Sequence, residues 1–523
     1  MVRLTLALTL AAATVLAQQG EENKRPTRRP EPERAQPGAE EKKDEKKDEK
    51  KDGKDQKADA KIKETRGSVN IAGNNVSYLA KTGTLPLIKE DGSPRADVFF
   101  VYYAATDADG KTLAEKDERR PIMFCFNGGP GSAAVWLHFG GLGPKKIEVP
   151  ADGKTFESIG KIVPNSLSIL DATDLVFLDP VGTGGSRPAK GEKGDQFWGV
   201  DEDIEACGEF IRTLTTRENR WMSPKFLCGE SYGGLRGAGL SGYLQDRHGM
   251  MLSGFVCVSG VLNFATLGAS ESNDLPYLTF LPAFAATAHF HGKLTGDLEK
   301  VTTEARDFAF GEYAVALLKG ATLPAEEKKR VAEKVAHFTG LTVEQVLDRN
   351  LRIDPSTFRE LLLRKEGKIL GRYDARVTSE DGDRSNSSPE FDPSFSDVIG
   401  PFNAMANAYL RGTLGWESEF PYRVLGGLPW NYTRFANRYA GTEGALATAM
   451  KTNPQFRLLV CAGLRDLAVP ADATKYSIDH LSIPDSLRKN ITYAHFESGH
   501  MMYLLDRDAT KLREEIVKFV RGK

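Results

Sequence analysis

The sequence predicts an α/β fold: a mainly parallel central sheet covered by helices on both faces, with one helical cap insertion. Three observations carry this. Compact apolar runs at residues 122–126, 175–178, 226–228, 255–259, 456–461 and 492–496 have the length of strands buried on both faces. Several are separated by helix-like stretches, residues 201–214 and 235–247 among them, and strand–helix alternation implies parallel pairing. The rhythm breaks over residues 266–429, which are rich in helical patterns, and then resumes. That resumption favours a cap inserted into one core over an independent second domain. A chain of 523 residues with 40% hydrophobic content can bury such a core.

From the amino end, Arg3 and the short apolar run of residues 4–16 read as a secretory signal, with Val15-Leu16-Ala17 offering a small-residue cleavage site. Residues 1–17 are thus expected to be removed on export, to the periplasm or the extracellular space. No other segment approaches the length of a membrane span, so none is expected in the mature protein. Residues 18–63 carry Lys-Lys-Asp and Glu-Lys-Lys repeats and too few apolar side chains to offset the entropy of ordering; they are expected to be a disordered charged linker. The net charge of −2 gives no general reason to expect nucleic acid as a partner.

The first part of the core is expected over residues 64–265, opening with alternating, half-buried antiparallel strands at 76–80 and 97–103. The cap should hold helices at 304–318, 325–337 and 357–364, the last with a capping box of Thr357 and Glu360, followed by a polar loop at 379–397. Residues 430–523 complete the core. Of the five cysteines, Cys125, Cys228, Cys257 and Cys461 lie in strand-like runs and Cys207 on a helix, without metal-ligand spacing. They read as small buried residues, not a disulfide framework, and no metal or cofactor is expected.

The chemistry centres on Gly229-Glu230-Ser231-Tyr232-Gly233. A G-x-S-x-G sequence between a strand and a helix places serine on a sharp turn that only small flanking residues permit, the arrangement of the α/β-hydrolase fold. A serine hydroxyl is a weak nucleophile and needs a base, itself oriented by a carboxylate. In this fold the acid and the histidine follow the serine in that order. Asp466, after the run ending at Cys461, and His500, after the run ending at Phe496, sit on loops at strand carboxyl ends, where such sheets hold their sites. His480 and His495 read as structural. Asn127-Gly128-Gly129-Pro130-Gly131 offers backbone amides for an oxyanion hole, and it lacks the lysine and hydroxyl of a phosphate loop. Gly182-Thr183-Gly184-Gly185-Ser186 reads as a tight turn near the site.

These stretches, with Leu142-Gly143-Pro144, Phe177-Leu178-Asp179, Pro180-Val181-Gly182-Thr183-Gly184 and Gly499-His500-Met501, together and in order, make the chain resemble the serine carboxypeptidases, the S10 peptidases, from about Gly67 to Lys523. The resemblance implies removal of C-terminal residues from peptide substrates by the triad Ser231, Asp466 and His500. It also implies an oxyanion hole from the amides of Gly129 and Tyr232. Asn127 and Glu230 would bind the terminal carboxylate, and Met501 would line the leaving-residue pocket. A protonated Glu230 can donate to a carboxylate that an ionised one would repel. Where the family has a second acidic residue in this site, the sequence has Gly141; the family's cysteine after Pro130-Gly131 is Ser132. Leu464 and Leu235 depart as well, and the cap shows no alignable resemblance. The missing cysteines point to a divergent, bacterial, periplasmic member. Two other classes stay open: a different serine hydrolase on this fold (esterase, acyltransferase or aminopeptidase), and a non-catalytic binding protein.

Overall fold

The computed structural model describes residues 61–382 and 388–522. The expected signal peptide, and all of the expected linker before Lys61, lie outside the described residues. A ten-stranded sheet runs through the described part. Its strands are β1 (Ile62–Ile71), β2 (Asn74–Ile88), β3 (Pro94–Thr106), β4 (Ile122–Phe126), β5 (Asp174–Leu178), β6 (Lys225–Glu230), β7 (Gly254–Val258), β8 (Arg457–Gly463) and β9 (Ile491–Phe496). A short strand at Arg187–Pro188 pairs with β3. The spatial order is β1-β2-β3-β5-β4-β6-β7-β8-β9. The first three strands are antiparallel and the other six run parallel. With helices on both faces, this is the α/β-hydrolase architecture the sequence predicts. β1 starts at Ile62, so the strand pattern begins inside the range expected as linker.

The parallel strands inside the sheet, β4 to β8, are apolar runs because they bury both faces, whereas the edge strand β9 leaves Thr492 and His495 exposed. Alternate residues feed two cores: Met123, Cys125, Phe226 and Cys228 on one face, Ile122, Phe124, Phe126 and Leu227 on the other. Helices α1 (Val200–Arg217) and α2 (Gly233–His248) contribute Ile211, Leu214, Leu240 and Leu244 to the second. All five cysteines are free and buried, Cys125 and Cys228 side by side on β4 and β6.

The insertion between β7 and β8 has a core of its own, built from Phe280, Phe284, Val331, Val335, Phe358 and their neighbours. Its helices are α3 (Leu275–Phe290), α4 (Leu298–Phe308), α5 (Ala314–Lys319), α6 (Ala325–Thr339), α7 (Val343–Asp348) and α8 (Pro355–Leu361). Three expectations are corrected here. The helix expected at 304–318 is broken around Gly311, whose backbone leaves the helical region. The cap of α8 is Asp354, not Thr357: Pro355 takes the first helical position, and the Asp354 carboxylate accepts the amides of Ser356 and Thr357. The capping box in this region is Thr342 with Gln345, on α7. The polar loop ends early, at helix α9 (Pro393–Asn407), and Val398, Phe402, Tyr409 and Leu410 pack on the sheet's core, not on the cap's. The separate cap core therefore stops near Ala375.

Candidate active site

The register of the sheet brings the carboxyl ends of its middle strands level. Phe126 pairs with Gly229, Val258 with Glu230 and Cys461, and Gly463 with Phe496. The loops that follow carry Asn127, Ser231, Asp466 and His500, so residues far apart in sequence meet at one rim. Ser231 has φ +63, the left-handed conformation of a strained strand-to-helix elbow. A Cβ on Gly229 would come within 2.2 Å of the Gly233 carbonyl oxygen, so the turn is closed to a side chain there. The Ser231 amide donates to the Val258 carbonyl, and the adjacent Ser259 hydroxyl donates to the His500 carbonyl, which ties nucleophile loop and histidine loop to one strand end.

His500 and Asp466 are both buried, and His500 Nδ1 donates to Asp466 Oδ2 at 2.6 Å. The other carboxylate oxygen accepts the amides of Ala468 and Val469 at 2.7 and 2.9 Å. Burial opposes a charged imidazole, yet the charge and hydrogen bond of Asp466 outweigh it and raise the His500 pKa. With Nδ1–H committed to Asp466, Nε2 is left to accept a proton. His480 caps a helix end through the Tyr476 carbonyl, and His495 is exposed on β9, apart from this group.

Ser231 is half-buried and Gly129 exposed, while their neighbours Asn127, Glu230 and Tyr232 are buried. A Cβ on Gly128 would lie 2.3 Å from the Tyr232 nitrogen and 2.9 Å from Ser231 Cβ. The Asn127–Gly131 loop and the Tyr232 amide thus face each other beside the serine, where an oxyanion would develop. Asn127 Oδ1 accepts the Leu137 amide, its side chain hydrogen-bonds Glu230, and its carbonyl accepts from Arg236. Burial pushes the Glu230 pKa up to about 7, against the opposing effects of His500, Tyr503 and Asn127. The shift favours the protonated form, which is able to donate. Met501 lines a cavity with Tyr373, Phe156, Val398 and Leu504 next to His500.

Several supporting residues were not singled out from the sequence. Segment 372–375 threads between the acid and histidine loops. The Arg372 carbonyl accepts the Leu467 amide, the Tyr373 carbonyl accepts the His500 amide at 2.6 Å, and the Ala375 amide donates to Arg465. Asp508 holds the histidine loop by accepting the Ser498 amide and hydroxyl. The wholly buried Arg236 of α2 pairs with Asp203 of α1 at 2.7 Å while donating to Asn127. Asp179 accepts the amides of Ala134 and Gly185, joining the oxyanion-loop segment to the second glycine-rich turn; burial pushes its pKa up to about 6. Tyr503 donates to Glu230. Of these, Asp179 and Arg465 fell inside stretches that the sequence displayed.

Residues 82–273 match the family model of the serine carboxypeptidases, Peptidase_S10. The matched stretch holds Asn127, Gly129, Glu230, Ser231 and Tyr232; Asp466 and His500 lie beyond it. No curated protein matches the chain. Among solved structures, VinJ is 16% identical, with 84% of this chain and 98% of that one covered and a TM-score of 0.36. A serine hydrolase from Cycloclasticus zankles is 12% identical, covering 85% and 98% at a TM-score of 0.33. A monoacylglycerol lipase from Paleococcus ferrophilus is 12% identical, covering 77% and 96% at 0.31. The family match, on a sheet of this topology, identifies a serine hydrolase of the α/β-hydrolase fold.

Proposed function

We propose that the protein is an exported serine carboxypeptidase that removes C-terminal amino acids from peptides through an acyl-enzyme on Ser231. The observation that carries the reading is Glu230. It is a buried carboxyl beside the serine, its pKa pushed up by burial to about 7, whose partners are the neutral donors Asn127 and Tyr503. Such a group can donate to a peptide's terminal carboxylate, and a simple ester offers it nothing to recognise.

In this reading His500 Nε2 takes the Ser231 proton as the hydroxyl oxygen attacks the last peptide carbonyl. The oxyanion is met by the amides of Gly129 and Tyr232. The C–N bond breaks as His500 returns the proton to the leaving amine, and the free amino acid departs past Met501. Water, deprotonated by His500, then attacks the acyl ester, releasing the shortened peptide and restoring Ser231. Asp466 keeps the imidazole oriented and offsets its charge. The amino-terminal pattern of Arg3 and an apolar run supports export.

The test is release of the last residue from N-blocked dipeptides between about pH 4 and about pH 8. Ser231→Ala should lower kcat about 10⁴-fold or more. Ser231-dependent cleavage of simple acyl esters without any release of a terminal residue would overturn the carboxypeptidase assignment and leave a different serine hydrolase. Accumulation of the mature chain in the cytoplasm would overturn export.

A further inference from the structure

We propose that Tyr503 is a positioning residue for substrate-carboxylate recognition: its hydroxyl holds the Glu230 carboxyl in place, so that a single ionisation sets the pH range of peptide binding. The inference rests on the carboxypeptidase reading above and deepens it.

The Tyr503 hydroxyl lies 2.8 Å from one Glu230 oxygen and 3.1 Å from the other, and both side chains are buried. The tyrosine sits on the short turn Met502–Leu504, so the segment that delivers the histidine also delivers the phenol. Its ring rests on two glycines. A Cβ on Gly140 would come 2.2 Å from the ring edge, and one on Gly141 would come 3.1 Å from the Tyr503 Cβ. Any side chain at 141 would crowd the ring in this position. Gly141 is therefore matched to Tyr503: the space beside the Glu230 partner is filled by the phenol's own side chain.

A phenol beside Glu230 gives the site a different acid–base behaviour from that of a paired carboxyl. Two neighbouring carboxyls share a proton only in acid, because ionising one opposes ionising the other. A phenol does not compete for that proton: burial, then the Glu230 charge, hold the Tyr503 pKa well above its ordinary value. It donates at every pH that Glu230 experiences in use, and when Glu230 is protonated it satisfies the carboxyl's second oxygen, leaving the acid proton for the substrate. Of the other groups facing Glu230, His500 lowers its pKa and Asp466 raises it. Tyr373 and Cys228 remain neutral, Tyr373 through burial and Cys228 through its contact with Cys125 and burial.

The experiment is the pH dependence of KM and kcat for an N-blocked dipeptide acid with wild type, Tyr503→Phe and Glu230→Gln. Phenylalanine keeps the ring on Gly140 and Gly141 and removes only the donor. Since that donor favours ionised Glu230, its loss should move the pH at which KM climbs upward by about one unit. KM in acid should rise about three- to tenfold as Glu230 loses its hold, and Glu230→Gln should flatten the profile. A folded Tyr503→Phe whose KM inflection is unmoved, or moves down, overturns this inference while leaving the peptidase reading intact. Wild type that releases no terminal residue overturns both. Should Tyr503→Phe fail to fold, the wild-type profile decides: one inflection near 7 supports the inference, and binding confined to acid with two inflections overturns it.

Discussion

Asp174 and Glu230 lie on parallel strands of one sheet, separated only by β4, and both are almost wholly hidden from solvent. Asp174 opens β5 at the amino end of the sheet; Glu230 closes β6 at the carboxyl end. Asp174 is held between two guanidiniums, Arg120 at 2.7 Å and Arg220 at 2.6 Å, and accepts the Ala105 amide. Glu230 has no such partner in its first contacts: a phenol and an amide donate to it, and burial pushes it to about 7. A buried carboxylate matched by opposite charge serves as a staple. One surrounded by neutral donors keeps two accessible protonation states, which is what recognition of another carboxylate requires.

The comparison breaks most visibly at the staple. Asp174→Asn keeps the shape but leaves Arg120 and Arg220 buried without a countercharge, and should cost about 3–5 kcal/mol in urea unfolding. A loss under about 1 kcal/mol would mean that water or relaxation already screens the arginines.

Glu230→Gln should act in the opposite direction. The folded pKa, about 7, lies above the ordinary 4.5, so between these values the native state holds a proton that the unfolded chain has released. Stability contributed by this group is therefore complete below the ordinary value and falls as pH rises towards 7. The glutamine variant escapes that fall and should be more stable than wild type by about 1–3 kcal/mol above pH 7, with no gain in acid. Chemical denaturation at the two pH extremes checks the sign, and equal differences at both would show that Glu230 is not perturbed.

Asp179 sharpens the distinction with the smallest effect. It too is a buried carboxyl served by neutral donors, but it ties the loop at Ala134 to the turn at Gly185 and has no triad histidine among its partners. Asp179→Asn removes a strained charge and leaves one amide facing the wrong end of the side chain, so stability should change by less than about 1 kcal/mol. KM should keep the wild-type pH inflection, since in the proposed carboxypeptidase reading Glu230 and not Asp179 meets the substrate. A moved inflection in the peptide assay would erase the distinction between the two carboxyls.

Much of the core was legible in the sequence for a local reason. A strand buried on both faces must be largely apolar, so β4 to β8 appear as short hydrophobic runs without reference to anything distant. The elbow at Ser231 and the loops after β8 and β9 are equally local, since a tight turn restricts its own residues and a strand end announces its loop. A cap insertion was expected from a change of period, but over residues 266–429, whereas its separate core stops near Ala375 and the expected 304–318 helix is broken at Gly311. The cap's helix start at Asp354 was misplaced to Thr357, because either residue type can cap and only the position of Pro355 in the backbone chose between them.

By itself, then, the sequence determined the fold class, the strand order along the chain and the positions that could carry nucleophile, acid and base, all properties of consecutive residues. Tertiary structure alone decided which of those positions share a rim and what surrounds them. Tyr503 reaches Glu230 across 273 residues, Arg120 and Arg220 close on Asp174 from two separate segments, and residues 372–375 leave the cap to brace the loops of Asp466 and His500. The physical reason is that a pKa, a buried charge pair and a shared proton depend on what lies within a few ångströms. Chain topology, not sequence proximity, sets that neighbourhood.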